Sequence, residues 1–142
     1  MSQEPIELIT VATLPDKVQA MKAQGRRLVQ ISATRLPDTV ELTYSFDLDS
    51  QLANLRLTLP ADKPQLPSIS SIYLCSILYE NEIHDLFGVQ VDGIAIDFKG
   101  NFYKTAVKFP FASAPVCAAP AKPAPVAATA PATAAPKPVT PT

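Results

Sequence analysis

Between Val40 and Leu59 apolar side chains fall twice on alternate residues, and this alternation restricts the chain to folds built around a sheet. Val40, Leu42, Tyr44 and Phe46 take one side of an extended segment, while Glu41, Thr43 and Ser45 take the other. After a turn at Asp47–Ser50 the pattern returns, with Leu55, Leu57 and Leu59 set against Asn54, Arg56 and Thr58. Successive side chains of a strand point to opposite faces, so these are strands with one buried and one wet face. Leu28–Ala33 is a further strand candidate, separated from Val40 by the turn residues of Leu36-Pro37-Asp38-Thr39.

Two helices flank these strands. Thr13-Leu14-Pro15-Asp16 opens the first: Thr13 can cap, Pro15 suits the first turn, and Asp16 stands where a capping-box acid belongs. Leu14, Val18 and Met21 share a face, and Gly25 is a natural stop. Ahead of it, Ile6–Val11 is a short strand or an extended lead-in. A proline-rich loop runs from Pro60 to Pro67, and Ser68–Ile72 is expected to be extended. The second helix fits Tyr73–Phe87, with Ile72, Cys75, Tyr79, Ile83 and Leu86 on one stripe and Gly88 as its C′ residue. Val89–Ile96 and Asn101–Phe109 return to strand-like or extended character, with turns at Gly93 and Lys99-Gly100-Asn101. The fold class is α+β, an antiparallel or mixed sheet with two helices packed on one face.

Composition divides the chain. Of its 15 prolines, nine lie in the last 33 of 142 residues, and no acid follows Asp97. Residues 1–110 read as one domain and 111–142 as a Pro/Ala-rich flexible tail, whose prolines remove the donors that its alanines would need for a helix. Cutting the chain after Phe111 is expected to leave the melting temperature within about a degree or two, because the tail has little side-chain bulk to offset backbone ordering. A thermal melt of the truncated chain checks this.

Residues 1–110 carry ten basic and thirteen acidic groups, a net charge near −3, which speaks against nucleic acid as a partner. Cys75 and Cys117 are far apart and form no C-x-x-C pair, so they read as free thiols in a reducing compartment. The acidic N-terminus shows no signal-peptide core, and no apolar stretch reaches the ~18 residues of a span.

Glu80-Asn81-Glu82-Ile83-His84-Asp85-Leu86-Phe87-Gly88 runs against ordinary helix design. Three acids occupy the last two turns, where the helix dipole favours cations. Glu82 and Asp85 are i,i+3 neighbours that repel. The acids make sense if they meet basic groups or backbone donors elsewhere in the fold or on a partner. A metal site of Glu80, Glu82, His84 and Asp85 would have one His and no nearby thiolate, and paired-carboxylate catalysis would have no nucleophile or cofactor loop beside it. The structural and interfacial reading is the one carried forward.

This stretch resembles the signature of the complex I thirty-kilodalton subunit family, whose members include the corresponding hydrophilic subunit of bacterial NADH-quinone oxidoreductases. Glu80, Glu82, Asp85, Leu86, Phe87 and Gly88 match that signature, while Asn81 stands where the family usually has Arg or Lys. His84 occupies a position that is commonly aromatic in the family, which argues against a ligand role. The resemblance covers about residues 10–110, including Leu66-Pro67-Ser68-Ile69 on the approach to the helix. The respiratory form continues into a His-Pro segment and an arginine-rich stretch. Here Val89–Gly93, Ile94–Phe98 and Tyr103–Lys108 follow instead. That ending looks like the small subunits of energy-converting, membrane-bound NiFe hydrogenases of the Ech or CO-induced type.

The resemblance implies a non-catalytic hydrophilic subunit with no cofactor, metal or catalytic residue of its own. It implies docking on the hydrogenase or complex I-type large subunit beside neighbouring iron–sulfur subunits. Iron–sulfur clusters and the NiFe centre then belong to those partners. The chain is expected to sit peripherally at the cytoplasmic face of the membrane, with Glu80, Glu82, Asp85, Leu86, Phe87 and Gly88 at the subunit junction. Two alternatives stay open: a stand-alone binding module tethered by its Pro/Ala tail, and the thirty-kilodalton subunit of a quinone-reducing NADH-quinone oxidoreductase.

Overall fold

The computed structural model describes residues 5–113. The expected 111–142 tail and Cys117 therefore lie almost wholly outside the described residues, apart from 111–113. The elements run β1 (Ile6–Leu8), α1 (Leu14–Ala23), β2 (Arg27–Arg35), β3 (Thr39–Leu48), β4 (Gln51–Pro60), β5 (Gln65–Pro67), α2 (Ser76–Phe87) and β6 (Gln90–Asp92).

Four strands form one mixed sheet in the order β1-β4-β3-β2. The β2–β3 and β3–β4 pairs are antiparallel, and β1 lies parallel to β4. Pairing sets Val40 opposite Leu59, Leu42 opposite Leu57 and Tyr44 opposite Leu55, so the alternation of each strand lands on the same face. All six of these side chains are buried, together with Phe46, Leu28 and Ile31. On the other face Ser45 donates to Asn54 Oδ1 at 2.7 Å, and Arg56 approaches Glu41 at 3.4 Å. The β3–β4 hairpin turns on Asp49 and Ser50, both at positive φ, the backbone that suits a two-residue loop joining right-twisted strands.

Leu14 and Val18 of α1 join Ile69, Tyr73 and Ile83 in the single core cluster with the apolar sheet face. Thr13 is the N-cap residue but makes no capping bond; its hydroxyl donates to the Thr10 carbonyl at 3.1 Å instead. Gly25 ends α1 at φ +79°, as its position after the last periodic residue requires.

The stretch after β4 departs from expectation. Ser68–Ile72 is not extended; the only strand here is Gln65–Pro67, which pairs parallel with β6, and turns follow at 70–72. Ile72 and Tyr73 both donate to the Ile69 carbonyl, which winds the chain before α2 begins at Ser76 rather than Tyr73. Cys75 consequently leaves the expected stripe and is exposed. Extended backbone after Gly88 is limited to Gln90–Asp92, and no strand forms over 101–109. Positive φ at Gly93, Lys99, Gly100 and Phe109 breaks that segment into turns.

Candidate functional site

Helix α2 and the turn before it are fastened to the sheet by two tyrosines. The Tyr73 hydroxyl donates to the Arg26 carbonyl at 2.6 Å and the Tyr79 hydroxyl to the Val29 carbonyl at 2.9 Å. Val29 sits in the register shift of β2 between Leu28 and Gln30, where the carbonyl is free of the β3 ladder. With α2 so oriented, Ser76, Ile77, Glu80, Asn81 and Ile83 turn inward.

Glu80 is 1% exposed. Its Oε1 accepts the Ile69 N–H at 2.8 Å, and its Oε2 accepts the Ser68 hydroxyl at 2.6 Å. Ser68 Oγ lies 2.7 Å from Ser70 Oγ, which accepts the Ala95 N–H at 3.1 Å. One carboxylate thus holds the loop before the helix and, through two hydroxyls, the loop after it. Burial pushes the Glu80 carboxyl above its ordinary value, and the Ser68 hydroxyl and Ile69 N–H pull partly the other way. The wholly buried Tyr44 hydroxyl is pushed up by burial and then by the Glu80 charge.

Asn81, also 1% exposed, donates to the carbonyls of Ile77 (2.8 Å) and Ile96 (2.9 Å) and accepts the Phe98 N–H at 3.0 Å. Asp85, 5% exposed, accepts the Tyr103 N–H at 2.8 Å on Oδ2 and lies 3.0 Å from His84 Nδ1 through Oδ1. The helix therefore holds residues 95–103 at successive turns, through Glu80, Asn81 and Asp85. A peptide segment without regular structure needs such acceptors and donors to satisfy its buried backbone.

The six signature residues fall into two groups. Glu80 and Asp85 are buried and accept backbone and hydroxyl donors inside the domain. Gly88 ends α2 at φ +72°, and a Cβ there would come within 3.2 Å of Phe109 Cγ. Glu82, Leu86 and Phe87 remain partly exposed beside β2. They border a shallow concavity of about 320 Å³ with Gln30, Ser32 and Phe111. Phe111 packs on Phe87 at 5.5 Å and donates its N–H to the Leu86 carbonyl, so ordered packing reaches into the first residue assigned to the tail. Among the described residues no three His, Cys, Asp or Glu side chains are grouped so as to hold a metal ion.

Sequence reasoning treats Asn81 only as a departure and misses Ser68, Ser70 and the two tyrosine hydroxyls. The available signal is the pair Glu80-Asn81 one turn from Ser76, polar residues continuing the face that carries Ile77 and Ile83.

A sheet covered by a helix whose buried polar side chains pin irregular loops defines a domain in which charge is used for construction. The family pattern of the respiratory-chain NADH dehydrogenase 30 Kd subunit matches residues 8–99, and the chain belongs to that family. No curated protein sequence matches the chain. Among solved structures, a chain of the membrane-bound sulfane sulfur reductase, an archaeal respiratory membrane complex, is similar with a TM-score of 0.63 and 24% identity. That match covers 70% of this chain and 62% of the archaeal one. A trypsin-resistant fragment of Nqo5 is similar with a TM-score of 0.57 and 20% identity, over 64% of this chain and 80% of the fragment. At these identities the likeness is one of fold. The chain spans 62% of the length of its archaeal relative.

Proposed function

We propose that this chain is a hydrophilic, non-catalytic subunit of a membrane-bound, complex I-related redox assembly, and that the assembly is an energy-converting NiFe hydrogenase. The observation that carries the reading is the family match over residues 8–99, which spans the sheet, both helices and the signature. A similar fold belongs to a complex described as respiratory and membrane-bound, which favours the same setting here. The choice of a hydrogenase rests on the ending after Gly88, which lacks the His-Pro and arginine-rich stretch of the respiratory form.

In this reading the chain docks on the large subunit. The partly exposed Glu82, Leu86 and Phe87 provide the signature's share of the contact. Iron–sulfur clusters and the NiFe centre lie in partner subunits. Among the described residues no helix is long and apolar enough to cross a membrane. In this reading the partner subunits hold the chain at the cytoplasmic face.

Affinity purification of the tagged full chain from detergent-solubilised membranes tests this. Recovery of an iron–sulfur-rich assembly that contains nickel and evolves hydrogen from a reduced viologen is the expected outcome. An assembly that reduces quinone and contains no nickel would replace the hydrogenase with a quinone-reducing parent. A chain that purifies alone as a monomer would favour the stand-alone module.

A further inference from the structure

Strand β2 is an outer strand of the sheet, paired with β3 on one side only. Which of its backbone groups face outward follows from one bond. Leu36 donates its N–H to the Thr39 carbonyl at 2.8 Å, continuing the register that sets Arg35 opposite Val40. Bonded and non-bonded pairs alternate along an antiparallel ladder, so Gln30, Ser32 and Thr34 bond to β3. The N–H and C=O groups of Ile31, Ala33 and Arg35 therefore point away from the sheet. Just before them, the Tyr79 hydroxyl takes the Val29 carbonyl and the Tyr73 hydroxyl that of Arg26, which closes the first part of the edge. Among the described residues no hydrogen bond closes the part at Ile31, Ala33 and Arg35.

A groove runs beside this open stretch. The concavity of about 320 Å³ borders Ile31 and Glu82, and a second of about 410 Å³ borders Arg35. Both are lined by Ala33, Phe87 and Phe111, so one continues the other along the edge. The charges stand at opposite ends, and among the described residues neither Glu82 nor Arg35 has an ion-pair partner. Arg35 Nε is buried with no hydrogen bond, which is costly for a donor.

Free edge donors and acceptors beside an apolar groove suit an extended segment that adds as a further strand. Its backbone supplies the bonds, and alternate side chains fill the groove. The end charges narrow its composition to a carboxylate for Arg35, a basic residue for Glu82, and apolar or β-branched residues between them. The chain's own residues 114–142 contain no acid, and prolines recur in them every few residues, each without an N–H. A second copy would bring its own α2 against this one, because α2 flanks the edge through Tyr79.

We propose that the open edge of β2 receives an extended segment of a neighbouring subunit as a fifth strand, with a carboxylate of that segment on Arg35 and a basic residue on Glu82. The proposal rests on the reading of the chain as a subunit of an assembly and gives the form of contact at its Glu82–Phe87 surface.

Amide hydrogen exchange of the full chain, alone and in the purified membrane assembly, tests it. Alone, the Ile31, Ala33 and Arg35 amides should exchange fast and those of Ser32 and Thr34 slowly; in the assembly the first three should become protected. Ala33→Pro removes an outward N–H and leaves the β3 ladder whole, so it should fold yet be recovered in the assembly at about a fifth of the wild-type yield. Arg35→Gln, which keeps every backbone group, should lower recovery too. Separately, the ¹⁵N-labelled full chain is titrated with the acetylated peptides Lys-Val-Thr-Val-Glu and Glu-Val-Thr-Val-Lys, which present the two charges in the two strand directions. Saturable shifts at residues 31–35 and 82–87, weakened about fivefold in Ala33→Pro, are expected. Unchanged exchange at 31, 33 and 35 on assembly, or full recovery of Ala33→Pro, would overturn the proposal. Protection already present in the isolated chain and lost on cutting after Ser113 would overturn it in favour of the chain's own tail. Protection that grows with protein concentration would overturn it in favour of a second copy. If the wild-type chain recovers no assembly, the subunit reading fails by itself. The titration then decides whether the edge takes a strand, and no saturable response to either peptide would overturn that as well.

Discussion

Replacing Glu80 by Ala is expected to destabilise the full chain by about 3 kcal/mol or more, the range for leaving buried donors without an acceptor. The Ile69 N–H would lose its acceptor, the Ser68 hydroxyl its carboxylate, and a cavity would open near the buried Tyr44. Glu80→Gln should behave differently. Its amide oxygen can still accept the Ile69 N–H, and its NH₂ group can donate to Ser68 Oγ in place of accepting from it. Denaturant unfolding of the two variants distinguishes the roles: a loss in Gln as large as in Ala would show that the charge itself is essential to the fold.

The same residue sets a pH dependence whose sign follows from its burial. The folded-state value of Glu80 is raised above the ordinary 4.5, so the folded protein holds this proton more tightly than the unfolded chain. The stabilisation it contributes is complete below the unfolded carboxyl's range and is lost as pH rises through the folded value. Gln cannot titrate. The stability of Glu80→Gln relative to wild type should therefore improve as pH rises through that window. Unfolding curves for both proteins at a series of pH values measure the difference, and a trend in the opposite direction would mean that Glu80 is held as a favourable anion.

Asp85→Ala is expected to cost about 2 kcal/mol, because the Tyr103 N–H is left without an acceptor and His84 loses its anchor. The damage should be local. Residues 98–109 should exchange their amide hydrogens faster, while β3 and β4, paired through the core, keep their protection. Glu82→Gln provides the contrast. Glu82 is partly exposed and makes no hydrogen bond or ion pair among the described residues, so its variant should melt like wild type. Its recovery in the membrane assembly should fall if the surface part of the signature forms the contact. The acids of one helix end thus separate into a stability effect at Asp85 and an assembly effect at Glu82. Equal losses of melting temperature in both variants would show that Glu82 also serves the domain's interior.

The alternation of Val40–Phe46 and Leu55–Leu59 was enough to define two strands and the face they bury, because side-chain period is a local property of extended backbone. Leu14 and Val18 were legible for the same reason on a helical period, and Gly25 and Gly88 because a positive φ at a helix end admits few residues. The signature was visible as an anomaly, since acids at a helix C-terminus oppose the dipole whatever surrounds them. Where those acids point is not a local property. Whether Glu80 and Asp85 meet another subunit or their own chain depends on Ser68, Ile69 and Tyr103, which lie eleven to eighteen residues away and whose donors carry no sequence mark. The stripe through Cys75 failed because turns from Ile69 delay the helix and leave that residue outside it. The irregular course of 94–109 was likewise decided in three dimensions. A segment without period has no structure of its own to announce, and takes its shape from the Asp85 carboxylate, the Asn81 amide and the Ser70 hydroxyl that satisfy its backbone.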